Sequence, residues 1–144
     1  MSSFKERTGY LISQVRAALR ARLDAALVDR GLTAPQYVAL TTLEEDPRLS
    51  NADMARLCFV TPQTMLRIIE NLEAAGLVAR RPHPTHGRIR QIDLTPRGRR
   101  LASDCHRLVL ALEEQMVSGL NKRERRQLHG MLLRCRAALS DASA

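Results

Sequence analysis

Tryptophan is absent from the 144 residues, and two tyrosines and two phenylalanines make up the whole aromatic complement. A core built without large rings is filled mainly by Leu, Ala and Val, which suits packed helices. No apolar run approaches the roughly 20 residues that a membrane span needs, and the N-terminus lacks the charged, apolar and small-residue order of a secretory leader. A cytoplasmic protein with no membrane partner is expected. Cysteine is scarce: Cys58, Cys105 and Cys135 fall on helical segments without paired metal-ligand spacing, and read as small core residues. His83 and His86, in the stretch HPTH, lack the Cys or carboxylate ligands that would complete a metal clip. No Ser, His and acid set, paired carboxylates or Gly-rich phosphate loop stands in a convincing context, so neither catalysis nor a cofactor is expected. Internal repeats and low-complexity linkers are also missing, and the length suits one compact domain.

Lysine is nearly missing too, and this matters because the chain is strongly basic. Its formal charge is +8, with 23 basic residues of which all but Lys5 and Lys122 are arginine. Polyanions are the obvious partners, and distribution narrows the choice. Between Arg80 and Arg100 stand seven arginines and one acid, Asp93.

The most informative stretch is TPQTMLRIIENLEAAGLV, from Thr61 to Val78. Thr61 suits an N-cap and Pro62 the first helical position, while Gly76 suits a C-terminal stop. Met65, Ile68, Ile69 and Leu72 recur at helical spacing and face a core; Gln63, Arg67 and Asn71 fall on the opposite side. Side chains of this kind hydrogen-bond base edges and phosphates in a DNA major groove. A lone helix with such a face would be an ordinary solvated surface helix. Its neighbours change the reading. Upstream, Ser50 and Asp53 form a capping box for a short helix through Cys58, separated from the next by Phe59 and Val60, which is helix-turn-helix spacing. Downstream, Leu77 to Arg81 and Arg88 to Leu94 flank the turn-rich PHPTHG, so a hairpin wing should follow.

The remaining elements are helices. Ser3 and Glu6 offer a capping box for a long first helix carrying Leu11, Val15, Leu19, Leu23 and Leu27 and ending near Gly31. Thr33 and Gln36 repeat the signature for a second helix through Tyr37, Val38, Leu40 and Leu43, stopping before Pro47. After the wing, Thr95-Pro96 opens a long helix with Leu101, Cys105, Leu108, Leu112, Met116 and Leu120, and Asn121 with Glu124 opens a last one with Leu128, Met131, Leu132, Cys135 and Leu139. The fold expected is mainly α with a small β-wing, residues 32–95 forming a winged helix-turn-helix. Residues 1–31 and 96–144 supply helices to pair with a two-fold mate, setting two recognition helices about one DNA turn apart, roughly 34 Å. Packing of these helices within one chain is the alternative.

Leu32-Thr33-x-x-Gln36, Leu72-Glu73-x-x-Gly76-Leu77-Val78 and Leu94-Thr95-x-x-Gly98 resemble hallmarks of the MarR family of bacterial transcription regulators, and the resemblance spans nearly the whole chain. It implies a homodimer on a pseudo-palindromic operator of double-stranded DNA, usually a repressor, released by a small ligand or by cysteine oxidation. Where many members carry Asp-Arg-Arg at the wing, this chain has His86-Gly87-Arg88, leaving Arg88 or Arg90 to enter a narrow minor groove. The DNA-facing set expected is Ser50 and Thr61 at the helix starts, Gln63, Thr64, Arg67 and Asn71 on the helix, and Arg80, Arg88 and Arg90 on the wing. The family's peroxide sensors carry their cysteine in the first helix, where this chain has none, and Cys58 sits in an apolar run that favours packing. Arg16 and Arg20, one turn apart beside the first apolar stripe, suit the carboxylate of an aromatic or organic-acid effector, with Tyr10 and Tyr37 as further pocket candidates. Solvation, or pairing with Asp24, is the plainer role for both arginines. The competing function is an architectural nucleic-acid binder with no effector.

Overall fold

The computed structural model describes residues 3–82 and 90–141, the side chains of Pro82, Arg90 and Asp141 excepted. Helix α1 spans Thr8–Val28, α2 Ala34–Glu45, α3 Asn51–Leu57 and α4 Pro62–Ala74. Strands β1, Val78–Pro82, and β2, Arg90–Leu94, form an antiparallel pair in which Val78 faces Leu94 and Pro82 faces Arg90. Helices α5, Pro96–Met116, and α6, Lys122–Asp141, follow. The chain divides into two compact units, residues 1–109 and residues 110–144. No helix among the described residues is long and apolar enough to cross a membrane.

The capping boxes at Thr33/Gln36 and Ser50/Asp53 form as the sequence requires. Asn121 and Glu124 exchange the same pair of bonds, each at 2.9 Å. The Ser3/Glu6 box also forms, but it closes only a 3-10 turn, Phe4–Glu6. Arg7 is then extended, with φ −68° and ψ 135°, so α1 starts at Thr8 and not at the cap. The physical reason is local: the Phe4 ring lies 4.8 Å from that of Tyr10, and the Arg7 guanidinium sits over its face.

The core of the first unit gathers Leu27, Leu40, Leu43, Met54, Met65, Ile69, Leu72 and Cys105, all fully buried. It therefore lies beneath α4 and is walled by α2, α3 and the start of α5. Helix α4 ends in a reversal: Gly76, at φ +73°, lets its own N–H reach Glu73 O and that of Leu77 reach Leu72 O. Such a left-handed residue costs a glycine little, and the buried Leu77 seals the end apolar.

Of the first-helix stripe only Leu27 is buried; Leu11 and Val15 are about half exposed, at 47% and 51%, so the stripe is left uncovered within one chain. One sequence expectation needs correction: Cys135 is not a core residue of the chain, because α6 buries none of its residues and Met131, Leu132 and Leu139 beside it are exposed. Cys58 and Cys105 are buried as expected.

Candidate nucleic-acid interface

The helix-turn-helix is fastened at both of its helix starts. The Ser50 hydroxyl accepts the Asp53 N–H at 3.1 Å and donates to the Asp53 carboxylate at 2.8 Å, which holds that carboxyl below its usual range. Asn51 Nδ2 donates to Pro62 O at 3.0 Å, a strut from the first residue of α3 to the first of α4. Between the helices Phe59 stands at φ 56°, where a β-carbon is strained, and is 86% exposed. Val60 N–H then returns to Ala55 O, and Thr61 caps α4 by accepting the Thr64 N–H at 3.1 Å.

Helix α4 has the two faces that its spacing dictates. Met65, Ile68, Ile69 and Leu72 are buried, while Gln63, Thr64, Arg67 and Asn71 are all exposed. Thr61 Oγ1 donates to Thr64 Oγ1 at 2.9 Å, so Thr64 keeps its own hydroxyl proton for an outside acceptor. Ser50 and Thr61 serve first as caps, and a phosphate oxygen reaching either hydroxyl competes with Asp53 or Thr64. All four side chains on the outer face are able to hydrogen-bond, and they are carried on a helix whose other side is locked in the core. That is the arrangement of a reading head for a groove in which donors and acceptors are laid out along a line.

The basic excess near the wing is partly neutralised inside the protein. Arg80 Nε meets Glu73 Oε2 at 2.9 Å, and Arg81 pairs with the nearly buried Asp93 across the strands. Arg97 Nη1 donates to Ala75 O at 2.9 Å, where a cation complements the carbonyl end of α4. Arg99 and Arg100 remain exposed at the start of α5. Arg90 is placed on β2, whereas Arg88 and the pair His83 and His86 lie outside the described residues.

The wing is bolted to the end of α4 by the residues after it. Thr95 N–H donates to Leu77 O at 3.0 Å, its hydroxyl to Gly76 O at 2.7 Å, and the same oxygen accepts the Gly98 N–H at 3.0 Å. Gly98 lies so close to Leu77 that a β-carbon there would sit 2.0 Å from the Leu77 carbonyl oxygen. The Leu-Thr-x-x-Gly pattern thus has a steric cause that the sequence does not display.

Of the four residues expected to hold an effector, Tyr10 and Arg20 are about 15 Å apart along α1 at 1.5 Å per residue. Arg20 is paired with Asp24 at 3.0 Å, Arg16 is exposed, and Tyr37 is buried with its hydroxyl 3.1 Å from His106 Nδ1. One chain contains a groove of about 450 Å³ with Leu49, Leu66, Ile69 and Ile92 on its walls and Arg48 and Arg80 among its polar groups. Spacing gives no sign of it, since its walls come from α4, β1, β2 and the loop into α3. Burial pushes the Cys58 thiol up, which keeps it protonated and unreactive and agrees with a packing role.

A family model described as the MarR family matches residues 30–89. The transcriptional repressor Rv2887 of Mycobacterium tuberculosis is 40% identical over 124 residues, covering 86% of this chain and 89% of that one. A crystal structure of Rv2887 in complex with salicylic acid superposes with a TM-score of 0.77 at 39% identity, covering 90% of this chain and 96% of the other. For the complex of Rv2887 with DNA the TM-score is 0.74 at 37% identity, with 90% and 97% covered.

Proposed function

The chain belongs to the MarR family of DNA-binding winged-helix transcription regulators, and from that premise we propose that it represses transcription from a pseudo-palindromic operator and is released by a small organic anion. The observation that carries the reading is α4, with Gln63, Thr64, Arg67 and Asn71 exposed opposite four buried apolar residues. Helix α4 reads bases in the major groove and the wing arginines, Arg80, Arg88 and Arg90, hold the backbone or minor groove. Ser50 and Thr61 add phosphate contacts at the helix starts. The DNA and salicylic acid complexes of Rv2887 support both halves of the proposal.

Residues 1–31 and 96–144 supply the dimer interface. Their apolar side chains, Leu11, Ile12 and Val15 on α1 and Met131, Leu132 and Leu139 on α6, are too exposed for a lone chain to leave in water. Light scattering at micromolar concentration without DNA should give twice the 16.2 kDa of one chain. A mass of one chain would refute the assignment.

The effector is an organic carboxylate, most simply an aromatic one. A carboxylate leaving water needs a fixed cation, and arginine offers two parallel donors. Two anchors compete for it: Arg16 with Arg20 on α1, and Arg80 in the groove, where Arg80 already shares its charge with Glu73. The groove supplies apolar walls within a single chain and is preferred on that ground. Aromatic and aliphatic acids should raise the melting temperature and weaken operator binding about 5- to 150-fold, a coupling of roughly 1–3 kcal/mol. Arg80→Ala should abolish the thermal shift and Arg16→Ala with Arg20→Ala should leave it. The opposite pattern would move the site to α1, and a shift unchanged in all of these variants would remove Arg16, Arg20 and Arg80 from the effector site.

A further inference from the structure

Glu70 stands on the wrong side of α4 for an ordinary acid. At 100° per residue it falls within about 60° of both Gln63 and Arg67, on the exposed face opposite Met65 and Leu72. It is exposed and shares no ion pair or side-chain hydrogen bond among the described residues, not even with Arg67 three positions before it. Glu73, one turn further on, is different: it is turned towards the wing and held by Arg80. The Glu70 carboxylate therefore contributes no polar contact to the fold among the described residues, yet it places a negative charge on the surface that, as a DNA-reading face, would approach phosphates.

We infer that Glu70 is a specificity-determining residue that accepts a hydrogen bond from the exocyclic amine of a cytosine and penalises the other bases at that position. The inference rests on the proposed reading of α4 as the DNA-reading helix. A carboxylate has acceptors only, and cytosine N4 is the donor it takes up in the major groove; guanine O6 and N7 and thymine O4 present acceptors and repel it, and the N6 donor of adenine stands beside the N7 acceptor, which repels the second carboxylate oxygen. Without a donor opposite, the group keeps its cost against the polyanion, and discrimination then comes as much from repulsion as from attraction. Gln63 and Glu70 are seven residues apart, about 10 Å along the axis of a helix that lies in the major groove, well beyond a single base-pair step of roughly 3.4 Å. Glu70 and Gln63 thus read different base pairs of the same half-site, with Arg67 between them.

The test is selection of bound DNA from a random pool by the full-length protein, its Glu70→Gln and its Glu70→Lys variants. Both substitutions fall on an exposed helical position with good helix formers, so their melting should match the parent. The parent should enrich a two-fold motif with cytosine fixed at one position of each half-site. Glu70→Gln should relax that position about ten-fold and leave the others unchanged, and Glu70→Lys should move the preference there to guanine. A Glu70→Gln profile identical to the parent's, one relaxed at a base other than cytosine, or an equal gain in affinity for every sequence overturns the inference and leaves the reading of α4 in place. If the parent itself enriches no motif, that reading fails together with the inference.

Discussion

Gly98→Ala will destabilise the protein by about 3 kcal/mol or more, because the added methyl would land on backbone and not on a movable side chain. The ideal β-carbon position is 2.0 Å from the Leu77 oxygen and 3.0 Å from its carbonyl carbon. Neither can retreat cheaply. Leu77 O already accepts the Thr95 N–H, and Leu77 N–H closes the end of α4 on Leu72 O. The Leu77 side chain is buried, and Val78 beside it starts the strand pairing with Leu94. Moving Leu77 therefore disturbs the C-terminus of α4, the wing root and the first turn of α5 together. Thermal unfolding should show a midpoint lower by roughly 10 °C. A Gly98→Ala protein as stable as its parent would show that the close approach does not constrain the fold.

Arg67→Ala is expected to damage recognition while sparing stability. Arg67 is exposed in the middle of α4, so its removal uncovers no core. An arginine presented to the major groove takes guanine O6 and N7 in bidentate fashion, and removing it costs about 1–3 kcal/mol of discrimination at one base pair of each half-site. The operator should bind roughly 5- to 150-fold more weakly per half-site, while binding to random DNA changes little. Arg90→Ala should act otherwise, lowering affinity for all sequences alike and reducing the salt dependence by about one released counterion per subunit. Titrations of operator and random duplexes at several salt concentrations separate the two cases. If Arg67→Ala leaves affinity and preference unchanged, the reading face of α4 has been misassigned.

The sequence is most legible where the cause of structure is local. Thr33 with Gln36, Ser50 with Asp53, and Thr61 with Pro62 each mark a helix start because the cap and the amide it satisfies are three residues apart. Periodicity marks Met65, Ile68, Ile69 and Leu72 as inward for the same reason. It is less informative on α1: the stripe from Leu11 to Leu27 shows that something must cover it, but not whether that cover lies in the same chain. Ser3 and Glu6 make their box, yet the aromatic contact of Phe4 with Tyr10 interrupts the helix, and no cap signal contains that information.

Charge along the chain also differs from charge in space. Seven arginines between Arg80 and Arg100 suggest a wholly basic wing, whereas Arg80 and Arg81 are held by Glu73 and Asp93, seven and twelve positions away. Arg97 is engaged by a carbonyl of Ala75. Distance in sequence conceals the groove in the same way, since it is assembled from segments more than forty residues apart, Pro47 to Ile92. Glu70 carries no signal in the sequence, because a single acid on a polar helix face is unexceptional until the faces of that helix are fixed.

The most direct test of α4 as a sequence reader is the ratio of affinities of the full-length protein for its selected palindrome and for random duplex, measured at the same near-physiological salt concentration. A specific regulator should hold the palindrome about 10³-fold or more tightly, with the ratio falling in Arg67→Ala and surviving in Arg90→Ala. A ratio near one, with affinity set by salt alone, would mean that the protein holds DNA by its backbone and does not read it.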